Sequence, residues 1–65
     1  MIKYKYVNRK PNKKEQEEIL YYIHNKEFME ILIITGRYYI QGYHGDYEYV
    51  LQIENDTKFI SIRIY

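Results

Sequence analysis

The sequence contains no cysteine, tryptophan or alanine, and only one proline and three glycines. Without cysteine there are no disulfide staples, no thiolate chemistry and no cysteine-ligated zinc. Small secreted domains usually lean on disulfides, so their absence points to a reducing compartment, and a cytoplasmic location is expected. Long hydrophobic runs are also missing. The longest aliphatic stretch is Ile31-Leu32-Ile33-Ile34, far short of the roughly 18 apolar residues of a membrane span. The opening residues, Met1 to Tyr6, lack the apolar core and small residues of a signal peptide, so no membrane partner is expected.

Sixty-five residues are expected to form one domain, 1–65. A chain this small buries only about 60% of the surface its unfolded form exposes. An active-site pocket of roughly 300 Å³ with preorganised groups around it is hard to carve from so little material. The expectation is a binding protein rather than an enzyme, with no cofactor and no small-molecule substrate.

What is abundant is isoleucine, tyrosine, lysine, glutamate and asparagine, including ten tyrosines. These residues have A/T-rich codons, which points to a low-GC bacterium, its phage or its plasmid as the source. The net charge of +1 conceals a bipolar arrangement. Lys3, Lys5, Arg9, Lys10, Lys13 and Lys14 precede the first acid and carry +6; the rest of the chain carries −5.

Residues 2–7 alternate with period two, Ile2, Tyr4 and Tyr6 against Lys3, Lys5 and Val7, which is the pattern of a strand. After the break at Pro11, Asn12 reads as a helix N-cap with Glu15 as its capping-box partner. Gln16, Ile19, Leu20 and Ile23 then share one face at 100° per residue, and the helix is expected to end near Asn25 or Lys26. Residues 29–41 are rich in β-branched and aromatic side chains and read as a second strand, with Gly36 at a bulge or at a close approach of another backbone. The glycines at 42 and 45 mark a turn, residues 47–54 alternate as a strand, and Asn55-Asp56 is a tight-turn pair. Ile60, Ile62 and Ile64 alternate in a last strand. The predicted fold is α+β in the order β-α-β-β-β. One helix packs on one face of a mostly antiparallel sheet that ends in a three-stranded meander.

One helix covers only one face of such a sheet. The other face, by alternation, shows Ile31, Ile33, Arg37, Tyr39, Val50, Phe59, Ser61 and Arg63, rimmed by Glu48 and Gln52. Arginine and aromatic residues beside exposed aliphatics are the chemistry of interface cores. Ile33, Arg37, Tyr39, Phe59 and Arg63 are therefore the expected protein-binding residues, with Tyr21 and Glu18 on the polar side of the helix as a second candidate surface. The bland reading is that any small sheet leaves some apolar area exposed. The expected partner is another protein, and a phage- or plasmid-encoded inhibitor of a host nucleic-acid-handling or defence protein fits this equipment.

Two other readings compete. Lys3, Lys5, Arg9, Lys10, Lys13 and Lys14, with Tyr4 or Tyr6 for base stacking, would serve a nucleic-acid binder. The near-neutral total charge weighs against it, because phosphate affinity accumulates from lysine and arginine. A structural homo-oligomer that buries the second sheet face is the other. His44 beside Asp46 lacks a third ligand and a nucleophile, so no metal or catalytic residue is expected.

Overall fold

The computed structural model describes residues 3–65, and within them β1 spans Lys3–Tyr6. Ile2, expected to share a face with Tyr4 and Tyr6, lies outside the described residues. Asn12 caps α1 (Lys13–Ile23) as its sequence context predicts. Its side chain accepts the Glu15 N–H at 2.8 Å, and the Glu15 carboxylate accepts the Asn12 N–H at 2.8 Å. This reciprocal pair satisfies two donors that a helix start leaves free. Ile19 carries the apolar stripe of α1 into the core, flanked by the partly buried Tyr22 and Ile23.

The chain then departs from expectation. Residues 26–35 form a second helix, α2 (Lys26–Thr35), where the residue types of 29–41 predict a strand. Asn25 starts it by accepting the Phe28 N–H at 3.0 Å, and Gly36 ends it in the left-handed region at φ 79°. Gly36 is thus a helix C-cap and not a bulge. The reason is a contest of magnitudes. Ile31, Ile33 and Ile34 each give up a few tenths of a kcal/mol in a helix relative to alanine. Against that, as a helix laid on the sheet the segment buries Phe28 and Leu32 against Tyr38, Tyr49 and the rest of the core, and burying each contributes roughly 2 kcal/mol. Both are buried, whereas Ile34 is 83% exposed. The sheet is therefore covered by two helices and not by one.

Three strands follow: β2 (Arg37–Gln41), β3 (Asp46–Glu54) and β4 (Thr57–Ile64). They form an antiparallel meander, with β3 and β4 joined through Asn55 and Asp56 at φ 51° and 62°, the left-handed pair of a tight hairpin turn. β1 pairs in parallel with β4, so the sheet order is β1-β4-β3-β2. The fold is α+β with a mixed sheet.

Both helices lie on the same face. Ile19, Phe28 and Leu32 meet Tyr47, Tyr49, Ile60, Ile62 and Ile64 there in one buried cluster. The Phe28 ring packs edge-on against Tyr49 and Tyr38, at centroid distances of 4.8 and 5.2 Å. The buried Tyr49 hydroxyl donates to the Ile19 carbonyl at 3.0 Å, which ties α1 to the centre of the sheet. No helix among the described residues is long and apolar enough to cross a membrane.

Candidate binding surface

With both helices on one side, the alternating side chains of four strands stand on the other with no layer over them. The strand register arranges them in rows. Lys3 lies beside Phe59 and Gln52; Lys5 beside Ser61, Val50 and Arg37; Arg63 beside Glu48 and Tyr39. Tyr65 follows at the end of β4, and Asp46 pairs with Gln41 at the end of β3. The floor is low at its centre, where Ser61 and Val50 are small. A shallow depression of about 240 Å³ opens there between Arg37 and Arg63. A second, of about 340 Å³, lies between Lys3, Lys5, Phe59 and the β3–β4 turn.

Specific contacts order the face. The Arg37 Nε lies 3.6 Å from Glu48 Oε2, and the Tyr65 hydroxyl donates to Glu48 Oε1 at 3.1 Å. Tyr39 and Tyr65 rings tilt against each other at 5.8 Å. The Lys5 ammonium sits 4.4 Å over the Phe59 ring, within cation–π range. Partial burial, and then Asp46 and Glu48, push the Tyr39 phenol above its ordinary value. Partial burial and Glu48 do the same at Tyr65. Charge on this face is mixed, with Lys3, Lys5, Arg37 and Arg63 interspersed among Asp46, Glu48 and Glu54.

Of the residues expected to bind protein, Arg37, Tyr39, Phe59 and Arg63 share this face. Ile33 does not, because it belongs to α2, where it is half exposed on a different surface. Tyr21 projects from α1 into solvent, 64% exposed, with its ring edge-on to Tyr22. Glu18 is partly buried and engaged within the chain. Its carboxylate accepts from the backbone N–H groups of Tyr43 and His44, at 2.6 and 3.0 Å, and from the Tyr47 hydroxyl at 2.6 Å. It is a fastener between α1 and the 42–45 turn, and most of the roughly four acceptor positions of a carboxylate are taken within the chain.

The basic N-terminal set does not form one surface. Lys3 and Lys5 stand on the open face, while Tyr4 and Tyr6 point to the helix side, edge-on to each other at 5.8 Å. Arg9 grips Glu15 with both terminal guanidinium nitrogens, at 3.0 and 2.7 Å, so it serves the start of α1. Lys10, Lys13 and Lys14 are exposed around that helix start. Among the described residues no group of three histidines, cysteines or carboxylates is placed to hold a metal ion. His44 contributes its backbone N–H to Glu18, and its side chain joins no such group.

Sequence reasoning assigns Glu48, Val50, Gln52 and Ser61 to this face but misses Lys3, Lys5, Val7 and Tyr65. Tyr65 follows from the alternation of β4; the membership of Lys3, Lys5 and Val7 depends on β1 docking in parallel beside β4, a long-range pairing that no local pattern encodes. No protein-family model matches the chain, and neither a curated protein nor a solved structure shows significant similarity to it.

Proposed function

We propose that this chain is a non-enzymatic binding module that docks another protein through the helix-free face of its sheet. Arg37, Tyr39, Phe59 and Arg63 are its anchors. The observation that supports this reading is the placement of both helices on one side, which leaves a four-stranded sheet bare on the other. Arginine, tyrosine and phenylalanine are enriched at interface cores because they combine large contact area with directional polar groups. The interspersed carboxylates favour a protein surface of mixed sign over a polyanion, whose affinity would grow with uncompensated cations. A module of this kind alters its partner by occupying a surface. That is the action of an inhibitor or adaptor, and a phage- or plasmid-encoded inhibitor of a host protein is the form of it we propose.

A second reading, a nucleic-acid binder, draws support from Lys3 and Lys5 joining Arg37 and Arg63 on the same face as Phe59. Capture from a lysate of the source organism, with and without nuclease and at two salt concentrations, separates the two. A protein retained at constant stoichiometry after nuclease treatment agrees with the first reading. Recovery of nucleic acid alone, lost steeply as salt rises, contradicts it and supports the second.

A further inference from the structure

The two edges of the sheet are not equally protected. β1, at one edge, is four residues long and carries Lys3 and Lys5, charges of the kind that discourage another strand from adding. β2, at the other, reads Arg-Tyr-Tyr-Ile-Gln, with no proline, no lysine and an uncharged centre. Its outer side pairs with no strand among the described residues.

Hydrogen bonding fixes which backbone groups that edge presents. The Leu51 N–H donates to the Gly36 carbonyl at 2.9 Å, and the Gly42 N–H donates to the Gly45 carbonyl at 2.8 Å. Even-numbered positions of this strand therefore bond inward to β3. The alternation of an antiparallel ladder then turns the N–H and C=O of Arg37, Tyr39 and Gln41 outward. Among the described residues only the Arg37 carbonyl has a partner there, the Thr35 hydroxyl at 3.0 Å, and a carbonyl can accept twice.

We infer that β2 is a self-association edge, on which a second copy of this chain pairs antiparallel about a two-fold axis at Tyr39. Outward groups must face outward groups, and centring the axis on Tyr39 is the register that overlaps all five residues. Arg37 then opposes Gln41 of the second copy, and Tyr39 opposes its own counterpart. On the helix side, Tyr38 meets Ile40 of the second copy, so aromatic stands against β-branched residue, a favourable cross-strand pair. Charge is complementary too. Arg37 of one copy lies beside Gln41 of the other, and Asp46, the cross-strand neighbour of Gln41, stands one strand further in, about 10 Å from Arg37 and within reach of its long side chain. The two sheets join into one, and their open faces become a single continuous surface. This association uses the outward backbone groups of the sheet edge; it shares Arg37 and Tyr39 with the open face but is read by dimer formation and not by capture of a partner. It can therefore fail without affecting the reading of that face, and the reverse also holds.

The chain is free of cysteine, so single cysteines report the pairing cleanly. In the inferred register the two copies of residue 39 lie about 5.5 Å apart at Cα, within the roughly 4.4–6.8 Å that a disulfide spans. The two copies of residue 41 lie about 14 Å apart, beyond its reach. Under mild oxidation Tyr39→Cys is expected to form a covalent dimer at least tenfold faster than Gln41→Cys. The wild-type chain is expected to show a concentration-dependent dimer by sedimentation. Tyr39→Pro removes an outward N–H and no bond to β3, so it is expected to remain folded by circular dichroism and to sediment as a monomer. Equal cross-linking of the two cysteine variants, or a wild-type monomer up to about millimolar concentration, a range where strand-edge contacts of even −4 kcal/mol would register, overturns the inference.

Discussion

The Glu18 carboxylate lies 2.6 Å from the hydroxyl of Tyr47, a residue with no solvent exposure, and holds two backbone N–H groups of the preceding turn at the same time. Burial pushes Glu18 up, but the Tyr47 hydroxyl and the His44 and Tyr43 amides outweigh it and leave the carboxyl below its ordinary value. Burial, and then Glu18, push the Tyr47 phenol well up. One ionised side chain thus joins α1, the 42–45 turn and the start of β3. Replacing it removes the acceptor of three donors at once, the buried Tyr47 hydroxyl and two exposed amides of the turn. Glu18→Ala is expected to destabilise the fold by about 2–3 kcal/mol, since hydrogen bonds to charged groups contribute more than neutral ones. Tyr47→Phe, which removes a single donor, is expected to cost about 1 kcal/mol. Denaturant titration of the three proteins checks the order.

The same carboxylate explains why position 42 is glycine. A methyl group there would collide with the Glu18 side chain. Gly36 is glycine for a different reason, since nothing lies within 4 Å of where a Cβ would stand and only its φ of 79° disfavours a side chain. Gly36→Ala is expected to lower stability by about 1 kcal/mol through backbone strain alone. Gly42→Ala should additionally loosen the turn. Amide exchange at Tyr43 and His44 is expected to quicken in Gly42→Ala and to stay unchanged in Gly36→Ala.

Acid stability should report the start of α1. The Arg9 guanidinium and then the Asn12 N–H hold the Glu15 carboxyl down from 4.5 to about 2. A carboxyl depressed in the folded state stabilises it above the unfolded value, and that stabilisation is lost as pH falls towards the folded one. The melting temperature is therefore expected to drop as pH goes from about 4.5 to about 2. Arg9→Gln removes the larger cause, so it should lower stability at neutral pH and flatten the acid limb. A slope unchanged in Arg9→Gln contradicts this assignment.

The contrast between the two helices shows which parts of this fold are readable in the sequence. α1 announces itself through Asn12 and Glu15, a local hydrogen-bond pair whose members are three residues apart. α2 has a cap of the same kind at Asn25 and a glycine stop at Gly36, yet its interior is a run of isoleucines that favours a strand. What decides in favour of the helix is contact of Phe28 with Tyr38 and Tyr49, distant in sequence from its own neighbours in the helix. The parity of β3 and β4 is legible because turns at 42–45 and 55–56 fix their register. Hence alternation places Arg37, Phe59 and Arg63 on the open face, while Ile33 is misplaced with the helix it belongs to. Lys3 and Lys5 join that face through the parallel pairing of β1 with β4, which is a tertiary event.

Side chains on the open face bear little of the fold's stability. Arg63 is exposed, and Phe59 is only partly buried, outside the core cluster. The double change Phe59→Ala and Arg63→Ala is expected to lower stability by no more than about 1 kcal/mol, the range of surface and half-buried sites. Thermal unfolding checks this, and a collapse of the folded state would reassign these residues from contact to core.

Those variants make the central claim testable even while the partner is unidentified. Wild-type chain, the Phe59→Ala and Arg63→Ala double variant, and Tyr21→Ala are each used as bait in the same nuclease-treated lysate, and the captured protein is quantified. The open-face account predicts that the double variant loses the wild-type partner at least tenfold, as for residues worth about 2 kcal/mol each at an interface core. Tyr21→Ala should retain it. Undiminished capture by the double variant together with loss in Tyr21→Ala would place the interface on α1 and contradict the account.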